Sequence, residues 1–231
     1  MKKYELTAEF IEKWGKKLFR IKALISFGSV EAGELGGYIE KEDNLAHDGN
    51  AWVYGNAEVY GDARVSGDAR VYGNAEVYGD ARVSGDARVY GNAWVSGNAE
   101  VYGDAWVSGN AEVYGDAEVY GDARVSGDAR VYGDARVCGD ARVCDDADYL
   151  LIGRIGSRFS FTTFFKNKDK GITVSCGCFL GTIAEFRAKV TDTHGNNKHA
   201  KMYNLAADMA ELQILGEEHF DKLNTNKSEP F

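Results

Sequence analysis

Two sets of side chains in this chain have the types and spacing that chemistry requires. The first is Trp52, Arg70, Arg88, Trp106, Arg124 and Arg142, which recur every 18 residues and include no acid. Guanidinium forks and indole rings in one row can grip an anionic or aromatic partner by bidentate hydrogen bonds and stacking. The same row can also serve the chain itself, as a ladder of cation–π and Asp–Arg neighbours. The second set is Cys176 and Cys178 with His194 and His199, four potential zinc ligands. Its C-x-C spacing also suits a buried thiol pair in a small core, with a histidine held at a helix end by the helix dipole. The Trp/Arg row is therefore the leading binding candidate, and no catalytic residue, metal or other cofactor is expected.

The elements that must carry the row follow from a repeat. Ala recurs at every sixth position from Ala51 to Ala147, Val from Val53 to Val143 and Gly from Gly49 to Gly139, each followed by Asp or Asn. A period of six does not match the 3.6 of a helix, and a glycine in every turn would cost a helix roughly 1 kcal/mol each time. In A-x-V-x the Ala and Val alternate with variable residues and point to one side, while Gly-Asp or Gly-Asn makes a corner. A strand so short cannot bury its face alone, so the units must coil and stack.

Val53 with Ala57, Val59 with Ala63 and their successors resemble the hexapeptide signature of left-handed parallel β-helices. The resemblance implies three hexapeptides per triangular coil, hence five to six coils. Side chains 18 apart then form columns. Besides the Trp52 row, one column reads Glu58, Glu76, Trp94, Glu112, Arg130, Asp148 and the other Arg64, Arg82, Glu100, Glu118, Arg136. A 12-residue coil would mix these types. Enzymes of this fold are mostly acyltransferases, whose general base is a histidine at the coil edge or on a loop, or carbonic anhydrases with three metal-bound histidines. Residues 51–149 contain no histidine, which weighs against either chemistry.

Among 231 residues, 27 Lys+Arg stand against 36 Asp+Glu, a net charge of −9. An acidic rod invites a nucleic-acid-mimic reading. Yet every arginine of the repeat has an Asp two positions before it, as in Asp62/Arg64, and most of its glutamates have Asn there, a pattern that suggests charge balance at each corner. Four cysteines and no export signal or membrane-length apolar run suggest free thiols in a soluble cytoplasmic protein.

Residues 1–44 suggest a β cap with one or two short strands, and Leu35, Ile39 and Leu45 sit in the six-residue register that leads into Ala51. Residues 45–149 form the solenoid. In residues 150–216, Arg158–Phe165 and Ile172–Cys176 predict two strands, Thr182-x-x-Glu185 a capped helix to His194, and Lys198–Leu215 a second helix, a small ββαα domain. Residues 217–231 read as a polar tail. The fold class is mainly β, a left-handed hexapeptide solenoid with a small α+β domain.

Gly33-Glu34-Leu35-Gly36-Gly37, the repeat, Thr162-Thr163-Phe164-Phe165 and Cys176-Gly177-Cys178-Phe179 are also similar to hexapeptide-repeat proteins of phages and prophages of Firmicutes, a family without an assigned activity. The resemblance implies a mobile-element context in a bacterial host cell and little about mechanism. The expected function is a non-catalytic binding or scaffold protein that presents its ladder-bearing faces or C-terminal domain, and inhibiting or sequestering a host immune factor fits that origin. Its partner would be a host protein, nucleic acid or nucleotide, with no membrane partner, and the protein could self-associate. An acyltransferase-type enzyme and a structural virion component are the alternatives.

Overall fold

The computed structural model describes residues 1–218; the polar tail falls outside the described residues beyond Glu218. It opens on a long antiparallel hairpin, β1 (Tyr4–Lys13) and β2 (Lys16–Ala23). Trp14 and Gly15 turn it with φ of 52° and 76°, the left-handed pair that a two-residue hairpin loop requires. β3 (Leu35–Ile39) pairs antiparallel with β2 and parallel with the first strand of the acidic face, so the cap continues a solenoid sheet. The cap is thus a ten-residue strand paired with an eight-residue one, longer than the short strands expected. Along β1 Tyr4, Leu6, Ala8 and Phe10 alternate with Glu5, Thr7 and Glu9, a period-2 signal for the longer strand, although Tyr4 alone in it is buried.

Strands β4 (Trp52–Val53) to β19 (Arg142–Val143) follow at six-residue intervals and fall into three parallel stacks. Partners are 18 residues apart, as in Arg70↔Arg88 and Val71↔Val89, which establishes the three-sided coil. Every Ala and Val of the repeat from Ala51 to Val143 is buried in the prism axis. The corners explain the glycine. Gly85 has φ 67°, and a Cβ there would stand 2.8 Å from the amide nitrogen of Gly103, one coil on. Only glycine permits both the turn and the stacking distance.

The lead-in to the repeat is offset from the sequence expectation. Ile39 pairs with Val59 and Leu45 with Val65, so both fill the large aliphatic slot rather than the alanine slot. Gly37 takes the alanine position, where a Cβ would stand 2.5 Å from the carbonyl oxygen of Ala57. The extra length is absorbed between Ala46 and Asn50, before the strict period begins.

Beyond the prism, β20 (Tyr149–Ile155), β21 (Ser160–Lys166), β22 (Ile172–Cys176) and β23 (Phe179–Thr182) form an antiparallel meander. The sequence reading had only the middle two. Helices α1 (Ile183–His194) and α2 (Lys198–Leu215) pack on one face through Phe164, Val174, Phe186, Tyr203 and Ala207. Thr182 and Glu185 form the expected capping box, and Gly195 ends α1. Phe165 enters the prism core and the Thr163 hydroxyl accepts from the Arg136 amide, so this sheet closes the second open end of the solenoid. All four cysteines are free thiols, and no helix among the described residues is long and apolar enough to cross a membrane.

Candidate functional site

The Trp52 row forms one continuous column of adjacent parallel strands, in the register Trp52↔Arg70↔Arg88↔Trp106↔Arg124↔Arg142. Its members have different fates. Trp52 is 0% exposed and does not belong to the binding surface. The Phe27 ring meets it edge-on at 5.4 Å and Tyr4 at 6.0 Å, so the cap buries it, and among the described residues its indole N–H has no hydrogen-bond partner. Arg142 is also committed: its Nη1 donates to the carbonyl oxygens of Asp122, Asp140 and Ala141 at 2.7–3.1 Å. Trp106 is flanked by Arg88 and Arg124, whose guanidinium carbons lie 5.0 and 4.5 Å from its centroid.

Among the described residues Arg70 has no such partner, and Arg88 keeps only its contact with Trp106. Arg70 and Arg88 are direct neighbours on adjacent coils, and among the described residues neither has a carboxylate within 4.0 Å. The expected Asp–Arg balance around each corner is not formed. The repeat arginines that do pair reach glutamates one coil away: Arg82–Glu100 at 3.5 Å, Arg130–Glu112 at 3.9 Å and Arg136–Glu118 at 3.2 Å. A side chain 18 residues away projects from the same face, whereas an Asp two positions back sits on the corner and points elsewhere. The arginine row offers no glutamate to Arg70 or Arg88.

These two arginines line an open groove of about 360 Å³ with Ser29, Tyr54 and Tyr72. Tyr72 stacks on Tyr90 with centroids 4.8 Å apart and planes 1° from parallel. Burial is the main cause of the raised Tyr72 pKa, followed by Tyr90, so its phenol stays protonated at neutral pH and can donate. Ser29 comes from a tight turn in the cap, closed by reciprocal backbone hydrogen bonds between Phe27 and Val30. Its hydroxyl lies 3.2 Å from that of Tyr54. Trp52 therefore contributes by seating Phe27 beneath this turn. Ser29, Tyr54 and Tyr72 were absent from the sequence candidates. Tyr54, Tyr72 and Tyr90 recur at 18-residue spacing in the sequence, but nothing in the repeat signals a cap loop folding onto them.

The Cys/His set does not assemble. His194 and His199 approach with ring centroids 5.8 Å apart, but no three His, Cys, Asp or Glu side chains among the described residues gather as metal ligands. The Cys176 thiol accepts from Thr162 at 3.2 Å, and Cys178 is exposed. The histidine nearest the coils, His47, is a bolt in the cap. It stacks on Tyr4 at 4.4 Å, accepts the Lys3 amide through Nδ1, and has Nε2 3.7 Å from Glu42. Its Nδ1 and ring face are thus occupied within the cap, while Nε2 makes no hydrogen bond among the described residues.

The acidic column is largely neutralised from within. Lys13 of β1 reaches Glu58 at 2.6 Å and Glu76 at 2.7 Å, and Tyr60 donates to Glu76. A polyanion mimic would keep such carboxylates free.

Comparison with known proteins agrees with the geometry. The family model described as YdcK Beta solenoid repeat matches residues 57–73, 63–79, 69–85, 75–91, 81–97, 117–133 and 123–139, successive windows stepping by one hexapeptide within each run. No curated protein matches the chain. The matched windows and the stacked coils together make this chain a β-solenoid repeat protein.

Proposed function

We propose that this is a non-catalytic binding protein that holds an anionic aromatic molecule, of the nucleoside phosphate type, in the groove beside Arg70 and Arg88. The observation that carries the reading is the arginine pair itself. Like charges directly opposite on neighbouring strands repel, and among the described residues no carboxylate lies within 4.0 Å of either guanidinium. An anion between them relieves the repulsion and accepts two planar forks of donors. Tyr54 and Tyr72 present phenol groups beside the charge, where an aromatic ring can stack and a hydroxyl can be read. The groove volume lies within the range of small-molecule sites. In the phage or prophage setting that the sequence resemblance implies, such a protein acts by sequestering a host nucleotide.

The test is calorimetric titration with a nucleoside triphosphate, the uncharged nucleoside and inorganic phosphate. The triphosphate should bind best. Arg70→Ala with Arg88→Ala should weaken it at least about tenfold, the equivalent of 1.4 kcal/mol. Glu76→Gln with Glu112→Gln, on the acidic face, should leave the affinity unchanged. Equal affinity in the arginine variant, no binding of any anion, or acetyl-CoA turnover by the purified protein would overturn the reading.

A further inference from the structure

We propose that the outer face of α2 is a self-pairing surface through which two copies of this chain associate as antiparallel helices. Met202, Leu205, Met209 and Leu212 are 40%, 63%, 57% and 46% exposed, although α2 already buries its opposite face through Ala200, Tyr203, Ala207 and Ala210. The four fall at intervals of three, four and three residues. That is the seam spacing of two helices meeting knobs into holes, and it extends over about 15 Å of the helix. Single exposed apolar residues need no explanation, but an aligned stripe on one helix does.

Charge selects the occupant. α2 has no acid in its first turn and no base in its last, the reverse of what its own dipole favours. Lys198 and Lys201 stand at its start, while Glu217 and Glu218 follow its end. A second copy running antiparallel sets Met202 against Leu212 and Leu205 against Met209. It also brings each basic start to the other's acidic end and C-terminal dipole. A parallel pair would place lysines on lysines and acids on acids. The twofold arrangement is isologous, so one stripe serves both copies and the assembly closes at two.

Sedimentation equilibrium of the full chain tests the inference. A dimer with a Kd below about 0.1 mM is expected, with Leu205→Glu or Met209→Glu each weakening it by at least about a hundredfold. Circular dichroism of both variants should match the parent, because the altered side chains face outward. Leu205→Lys combined with Met209→Glu should restore the dimer, since the antiparallel register then opposes opposite charges twice. A monomeric parent, a dimer indifferent to both single changes, or a double variant that stays monomeric would each overturn the proposal.

Discussion

The guanidinium carbon of Arg124 lies 4.5 Å from the centre of the Trp106 ring, and Arg88, on the coil before Trp106, lies 5.0 Å from the same centre. The indole thus serves two cations from neighbouring coils. Partly exposed cation–π contacts are worth about 0.5–1 kcal/mol each. Trp106→Ala should therefore lower stability in urea by about 1–2 kcal/mol, and Arg124→Ala by about half as much. An unchanged urea midpoint for Trp106→Ala would show that the ring contributes no net attraction.

Corner glycines can be tested by contrast. Gly85→Ala meets both a φ of 67° and the Gly103 amide nitrogen at 2.8 Å, whereas Gly139→Ala meets a φ of 62° with nothing within 4 Å. The first should cost about 1–3 kcal/mol more than the second, because only the first must also spread two coils apart. Equal losses in a denaturation series would assign the whole penalty to backbone conformation.

Lys3 closes the cap from within. Its side chain is buried, its ammonium donates to the carbonyl oxygen of Ala51 at 2.9 Å, and it stands 4.7 Å from the Phe27 centroid. Burial lowers its pKa from 10.5 to about 8, against the raising influence of Asp48 and Asp68. Between pH 8 and 10.5 the unfolded chain therefore binds more protons at this site, and its contribution to stability rises with pH. The stability difference between the parent and Lys3→Met should grow in favour of the parent over that window, measured by urea unfolding at pH 7.5 and 9.5. A constant difference would show that the ammonium is not desolvated.

The tyrosine ladders act in the opposite sense. Burial, then the Glu118 charge, pushes Tyr102 up to about 12, and burial likewise raises Tyr60, Tyr120 and Tyr149. Unfolded phenols ionise near pH 10, so the stabilisation is complete below that pH and is lost as pH climbs toward the raised folded values. Phenolate absorbance should show part of the tyrosine population silent at pH 11 in the native protein and fully ionised in concentrated urea. Complete native titration by pH 11 would contradict the burial of the ladders.

Much of this architecture is local and was legible in the chain. Each hexapeptide carries its own strand, corner and inward Val/Ala pair; the resemblance to hexapeptide β-helices implied the three-sided coil, and the acid-free column through Trp52 at 18-residue spacing favoured it. The capping box at Thr182 and the glycine after His194 likewise placed α1, because both act within a single turn. Other features depend on partners far along the chain. Phe27 covers Trp52, and Ser29 meets Tyr54, because the cap folds back over the first coil. Arg82 pairs with Glu100 rather than with Asp80, since stacking brings residues 18 apart closer than a corner lets neighbours point. Strands β20 and β23 escaped notice because Tyr149–Ile155 and Phe179–Thr182 acquire a buried face only when β21, β22 and the helices pack beside them. The repeat follows from the backbone needs of each hexapeptide, whereas which arginines stay free of carboxylates is decided by the lateral stacking of coils and by the caps that seal their ends.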